Sequence, residues 1–388
     1  MQTITAAAEN TTDRKRRRLI TAVYFFLSGI ITASWSSRIP DVQQKLGLDN
    51  AAWGSVLFAL PVGLVTGLLL SSWLVARFGT TLIMIIGLVV SCLLLCTLGF
   101  AGERVQLMAT LFFFGGVRTI LNMAMNTRSV EVQRLYDKPI VSTFHGLWSL
   151  ACFMAAAFGT LMIVYNVVPA QHFVIIASVC LLIVFALRKK VGNGAHVKPE
   201  KQPFFVKPDK YLLFLGLVAF CGMLAESTMF DWSVNYFENV VKVDKGFVTT
   251  GYTSFIIAMS LGRLLGDRVI ARFGPVTMLM VNGVLMAAGF GVAALFPYLL
   301  PAAIGFVLIG LGDSIVVPIV YTLSARSTIM QPGYAIASVT FIGYAGFLTG
   351  PLLVGSLSDA FGMQWALVVV GCICLGISFF SLLVKKFL

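Results

Sequence analysis

The chain has 388 residues, of which 58% are hydrophobic and only 11% charged, with a mean hydropathy of +0.92. A soluble protein of this size keeps about a quarter of its residues charged, so an ordinary globular domain is excluded. The net charge of +12 raises the question of a nucleic-acid partner, and the answer lies in where the basic residues fall along the chain. Crossing a bilayer takes about 20 consecutive apolar residues, and a membrane barrel would instead alternate over about ten. The continuous apolar runs predict an all-α polytopic membrane protein of about twelve spans.

In chain order, residues 1–18 form a basic tail ending in "DRKRRR" (Asp13–Arg18). Such a run next to a span is a topology signal that touches anionic lipid, not a nucleic-acid site. No small-residue cleavage site follows, so the first span is read as uncleaved. Spans are predicted near 19–38, 52–76, 82–101, 105–127, 141–164 and 168–187. The first carries Thr32 and Trp35 at helical spacing. The fourth contains "GGVRTILNMAMN", which puts Gly115, Arg118, Asn122 and Asn126 on one helix face. The longest polar interval, Arg188 to Lys210, is rich in Gly, Pro and Lys and reads as a linker at 188–210 between bundles at 19–187 and 211–388. Six further spans are predicted near 211–235, 247–270, 276–296, 299–322, 333–357 and 363–384. They contribute Glu226 and Asp231, the pair Arg263 and Asp267, Asp313, and Tyr344 beside Gly343 and Gly346.

The basic residues lie overwhelmingly on one side of these spans: the tail, Arg77, Arg128, Arg134, Lys138, the linker, Arg268, Arg272, Arg326, Lys385 and Lys386. The opposite side holds Arg38, Lys45, Arg104, Lys242 and Lys245. By the positive-inside rule both termini are expected in the cytoplasm. The seven cysteines all fall within predicted spans and read as packing residues. No nucleotide loop, catalytic triad or histidine metal motif is present, and no cofactor, metal or enzyme activity is expected.

An unpaired charge at mid-membrane costs at least ~2.5 kcal/mol, so Arg118 needs water or a partner. Glu226 lies mid-span with no basic residue near it in sequence, which favours a protonatable group over a static pair. Asp231 lies nearer the end of its span and is read as hydrated or capping. Arg263 and Asp267 are four residues apart and are expected to pair near the cytoplasmic loop.

The halves repeat. "WLVARFGTT" and "RVIARFGPV" each close the second span of their half, so that Ala76–Gly79 recurs as Ala271–Gly274. At the same spacing Gly67 matches Gly262, Gly115 matches Gly310 and Arg118 matches Asp313. Parallel repeats of this kind are a transporter plan in which two halves rock about a central site.

These features resemble the major facilitator superfamily over nearly the whole chain. That family's loop signature, Gly-x-x-x-Asp-Arg-x-Gly, is kept here at Arg77 and Gly79, with Ser72 and Ala76 at its Gly and Asp positions. In the second half Arg272 and Gly274 are kept and Asp267 is displaced by one turn. "GPLLVGSLSDAFG" (Gly350–Gly362) is similar to the family's usual exit from the eleventh helix. Within the family, "ASWSSRIP", "HGLWSL" and "AESTMFDW" resemble a bacterial branch allied to the fucose permeases. The resemblance implies two pseudo-symmetric six-helix bundles, with the first, fourth, seventh and tenth helices lining a central cavity. Arg118, Asn122, Asn126, Trp35, Thr32, Asp313 and Tyr344 would then contact substrate, while Arg118 and Asp313, at equivalent places in the two halves, could equally pair as a latch between them; the expected arrangement combines the two, a pair that the substrate opens when it enters. Glu226, Asp313 and Asp231 would carry the proton, and Arg77, Gly79, Arg263, Asp267, Arg272 and Gly274 would gate. Fucose permeases carry an acidic residue in the fourth helix, and the aligned position here is Asn122.

The expected function is secondary active transport of a sugar-like or anionic small solute by proton symport, in a monomer of the bacterial cytoplasmic membrane. A proton-antiport exporter of drugs or metabolites is the alternative, and a transporter-like receptor without net transport a third reading. Cysteine labelling in intact cells should place the linker near Lys198 inside and the loop near Asp244 outside; the opposite pattern would overturn the charge argument.

Overall fold

The computed structural model describes residues 11–133, 135–136, 140–188, 208–330 and 332–387. The first ten residues of the tail and most of the expected linker lie outside these. Among the described residues there are fourteen α-helices and no strand. In hydrocarbon each backbone N–H and C=O must find its partner within its own segment, and the long apolar runs do so as helices. They are α1 (Thr11–Ser36), α2 (Ile39–Leu46), α3 (Asn50–Leu57), α4 (Ala59–Phe100), α5 (Arg104–Gln133), α6 (Val141–Val164) and α7 (Pro169–Leu187) in the first half. The second half holds α8 (Lys210–Tyr236), α9 (Thr250–Phe273), α10 (Pro275–Leu295), α11 (Leu299–Asp313), α12 (Val316–Ser324), α13 (Pro332–Phe361) and α14 (Met363–Val384). Eleven stretches are long and apolar enough to cross a membrane. The remaining helix of spanning length, α9, is not among them and carries Arg263, Arg268 and Arg272.

Three local features differ from the sequence expectation. The basic run is not a free tail but the opening turns of α1, where Arg14 and Arg18 lie 4.7 and 5.5 Å from the Tyr136 ring. A short amphipathic helix, α2, follows the first span and ends on Gly47 in the left-handed conformation. The second predicted span is interrupted at Phe58, between α3 and α4, and meets the third at a kink at Gly79 (φ 79°, ψ 155°) with no loop between them.

That turn explains the repeated tetrapeptide. Gly274, at the matching place in the second half, has φ 81° and ψ 152°, a region that is essentially open to glycine alone. The helix packing repeats as well. A Cβ at Gly115 would strike the Leu60 carbonyl oxygen, and one at Gly310 would strike that of Phe255. Leu60 and Phe255 are separated by the same number of residues as Gly115 and Gly310. Glycine brings α5 onto α4 and α11 onto α9 at backbone contact, the close approach that drives helix association in lipid.

In the first half α4 packs on α5 and α7, and α1 on α6; in the second, α8 packs on α13 and α14, and α10 on α11 and α14. The halves meet chiefly through α3 with α13 and α6 with α9. Among the described residues, several hydrogen bonds between them lie at the end that carries α2. There the Asp359 carboxylate accepts from the Asn50 and Ala51 N–H groups (3.0 and 2.6 Å), at the start of α3. Asn235 donates to Gln43 (2.6 Å), Gln44 to Glu238 (3.2 Å) and Lys245 to Asn166 (2.6 Å). Gly54 and Gly355 let α3 and α13 touch backbone to backbone beside Pro351. This is the closed end of the molecule.

A Cβ at Gly274 would meet nothing within 4 Å, so Gly274→Ala tests backbone strain alone. It should cost about 1–3 kcal/mol and lower the melting temperature of purified protein. Gly102→Ala, equally uncrowded, should not. Equal melting of the two variants would reject the constraint.

Candidate functional site

Between the halves lies a cavity of about 350 Å³. Its first-half wall is Trp35 and Ser36 of α1, the apolar stretch Leu60 to Leu68 of α4, Arg118, Thr119, Asn122 and Asn126 of α5, and Trp148 of α6. The second half supplies Glu226, Ser227, Phe230 and Asp231 of α8, Met259 and Arg263 of α9, and Tyr344 and Phe347 of α13. A cleft of about 430 Å³ on the flank between α6 and α9 is larger, but Phe153, Leu161, Ile257 and a row of threonines line it and no charged group does. The charged side chains are in the central cavity.

The helical spacing read from α5 holds: Arg118, Asn122 and Asn126 project into the same cavity, and Asn126 at its far end is exposed. Arg118 is half-buried, and among the described residues no carboxylate lies within 4 Å of it. Its charge acts across the cavity on Glu226, Asp231 and Tyr344. Asp231 accepts a hydrogen bond from Ser227, one turn earlier, at 3.1 Å. Glu226 is not alone. Arg263 Nη2 lies 3.7 Å from its Oε1, with side-chain exposures of 41% and 17%. At that distance and exposure the pair contributes little, of order 0–1 kcal/mol.

Arg263, expected near the cytoplasmic loop with Asp267, thus faces the central cavity and reaches α8. The side chain of Asp267 lies outside the described residues. Arg77 and Arg272 are exposed beside the glycine turns, Arg272 lying 5.3 Å from the Phe273 ring.

Two residues expected at the substrate do not line the cavity. Thr32 is buried within the first half. Asp313 is 3% exposed and, among the described residues, makes no ion pair with Arg118 and has no hydrogen-bond partner on either carboxylate oxygen. The cause is a helix break: α11 ends at Asp313 and α12 starts only at Val316. The broken turn directs Asp313 toward α8, where a Cβ on Gly222 would sit 3.7 Å from its Oδ1. Its charged neighbours are Glu226 and Arg263.

Sequence reasoning passed over two buried arginines by counting them as loop charges. Arg128 is 2% exposed and pairs with Glu131 at 2.9 Å. Glu131 in turn accepts from Thr80 at 3.4 Å, just after the Gly79 turn. Arg38 donates to the Val167 carbonyl at 2.7 Å and pairs with Asp41 at 3.0 Å. The available signal was an acidic residue three positions after each arginine.

Residues 19–331 match the model of the Major Facilitator Superfamily. The chain belongs to that superfamily. A relative in Yersinia pestis, described as an uncharacterized MFS-type transporter, is 30% identical over 92% of this chain and 92% of its own. Among solved members of the family, a bacterial homolog of the human lysosomal transporter Spinster, in an inward-facing unoccupied conformation, aligns at TM-score 0.75. It is 15% identical, over 97% of this chain and 98% of that one. FucP, the fucose:proton symporter of E. coli, aligns in its outward conformation at TM-score 0.64 and 18% identity, over 94% and 98%. This multi-pass membrane protein therefore has the all-α fold of the major facilitator transporters.

Because Arg118 and Asp313 do not meet, Arg118→Met and Asp313→Leu should change stability independently, adding within ~0.5 kcal/mol in a thermal double-mutant cycle. Recovery of lost stability in the double variant would show that the two charges pair.

Proposed function

We propose that the protein is a secondary active transporter that takes up a small polar solute, sugar-like or anionic, by alternating access coupled to protons. The observation that carries this reading is a central cavity closed at one end, in which, among the described residues, Arg118 has no carboxylate within 4 Å while two acids face it. A guanidinium held half-buried without a counter-charge is a receptor for a carboxylate or phosphate, which its planar fork grips with two parallel hydrogen bonds. Asn122 and Asn126 supply neutral donors and acceptors along the same face, and Trp35, Trp148 and Tyr344 supply flat apolar walls for a ring. FucP, similar in fold, is a proton symporter of a sugar; here the fourth-helix acid of the fucose permeases is replaced by Asn122, so the coupling is assigned to Glu226.

Orientation follows from charge. With the basic side in the cytoplasm, the closed end faces outward and the cavity faces the cell interior, the state in which solute is released. Repetition of the glycine contacts in both halves supports rocking of two similar bodies about the cavity.

Flux into proteoliposomes, with and without an imposed pH gradient, tests the reading; gradient-independent flux would remove proton coupling. A thermal-shift screen of sugars, organic acids and nucleosides identifies the solute. Arg118→Met should weaken its binding by about ten- to a hundred-fold, as a lost charge-assisted hydrogen bond worth ~1.5–3 kcal/mol would. Arg118→Lys should restore only part, because lysine lacks the fork. Glu226→Gln should lose gradient-driven accumulation and keep exchange. Unchanged binding in Arg118→Met would reject the anionic receptor, and unchanged accumulation in Glu226→Gln would move the coupling elsewhere.

A further inference from the structure

Arg263 stands where α8, α9 and the break between α11 and α12 meet. Its Nη2 is 3.7 Å from Glu226 Oε1 on α8, and its Nε donates at 3.4 Å to the carbonyl oxygen of Ser314, the first residue of the break. Gly262, one residue earlier, packs so tightly that a Cβ there would strike the Ser314 side chain. The root of the arginine is therefore fixed against the broken turn. Next to Ser314 is Asp313, buried, with both carboxylate oxygens unpartnered.

A guanidinium carries five N–H donors in a fork, and here they serve one loose ion pair and one long hydrogen bond. Between Glu226 and Asp313 there is one cation for two acids. The other titratable or charged groups around the cluster are Arg118 of α5 and His145 of α6, Tyr321 of α12 and Tyr344 of α13. Cys374 of α14 lies beside Asp313. Among the described residues none of these is an ion-pair partner of Asp313.

We infer that Arg263 is a counter-ion shared by Glu226 and Asp313, and that its exchange between them sets whether α8 is tied to α9 and with it the state of the closed end. The geometry supplies the link. Arg263 is on α9, and Thr249, at the start of the same helix, bonds to Thr160 of α6 across the halves at 2.5 Å. Pairing with Glu226 ties α8 to α9 in the closed state seen here; pairing with Asp313 leaves α9 on the break, where Gly262 and Gly266 already pack, and frees α8, whose Asn235 bonds to Gln43 at the closed end. The inference rests on the transporter reading for its role in transport, but its test uses no solute, so the two fail separately.

The test places cysteines at Thr160 and Thr249 in full-length protein with Cys372→Ser, in lipid nanodiscs, and measures the yield of the disulfide across the closed end. Asp313→Asn leaves Arg263 only Glu226 and should keep the yield high. Glu226→Gln leaves it only Asp313 and should lower the yield by about five-fold or more, the low end of coupling between linked sites. Adding Arg263→Met should erase the difference, and Arg263→Lys should restore it in part. Equal yields in the two acid variants, or a difference that survives Arg263→Met, would overturn the inference. Melting provides a second measurement. Glu226→Gln with Asp313→Asn should lose more than the sum of the single losses, because it strands the cation, and adding Arg263→Met should recover the excess. Additive losses would likewise overturn it.

Discussion

A charge at the middle of a bilayer must have water or a partner, and the arrangement of this molecule follows from that constraint. Arg118, Glu226, Asp231 and Arg263 stand on spanning helices at a depth where lipid would refuse them. They are tolerated because two helical bundles leave a cavity between them and each charge opens into it. The bundles are made of apolar helices that touch backbone to backbone at glycines, which leaves the polar groups to the shared face. Asp313 is the exception: it does not line the cavity and, among the described residues, neither of its carboxylate oxygens has a hydrogen-bond partner.

The closed end is built in a different currency from the cavity. Its contacts are hydrogen bonds of amides and hydroxyls with two carboxylates, Asp359 on the first turn of α3 and Glu238, and with the Lys245 ammonium. Between neutral groups such a bond contributes only ~0.5–1.5 kcal/mol net, and to a charged group ~1.5–3 kcal/mol, since water replaces it when it opens. A gate of a few such bonds is strong enough to hold one state and weak enough for a bound solute or a relocated charge to shift it. A gate sealed by buried ion pairs would lose ~3–5 kcal/mol for each pair broken and would resist cycling.

Much of this was legible in the sequence because the signals are local. Apolar runs give the spans, the three- and four-residue spacing of Arg118, Asn122 and Asn126 gives their common face, and the repeated tetrapeptide marks two turns that need φ near 80°. What was hidden lies between elements. The approach of Arg263 to Glu226 joins residues on different helices, and within the eighth span the nearer partner on paper was Asp267. The break at Ser314–Ile315 has its signal in Pro318, which cannot donate to the Ser314 carbonyl four residues earlier; with that signal passed over, Asp313 was expected to face the cavity as its counterpart Arg118 does. Arg128 and Arg38 were placed in loops because charge normally ends a span, whereas each is buried with an acid three residues later. Duplication fixes equivalent places in the two halves; it does not make the side chains there face each other.

The charges also constrain one another. Around the cavity and just behind it are two cations, Arg118 and Arg263, and three acids, Glu226, Asp231 and Asp313. With every group ionised the set would carry one excess negative charge in a region of low polarizability, which a single bound proton neutralises. On the proposed reading, an anionic solute that lands on Arg118 restores the excess, and neutrality then calls for a second proton on one of the same acids. Release of the solute returns the set to its former charge and frees that proton. Coupling of this kind needs no dedicated proton wire. It needs a site with fewer cations than acids and a cation that can change partner, and Arg263, held between α8 and the broken turn of the tenth span, is placed to do so.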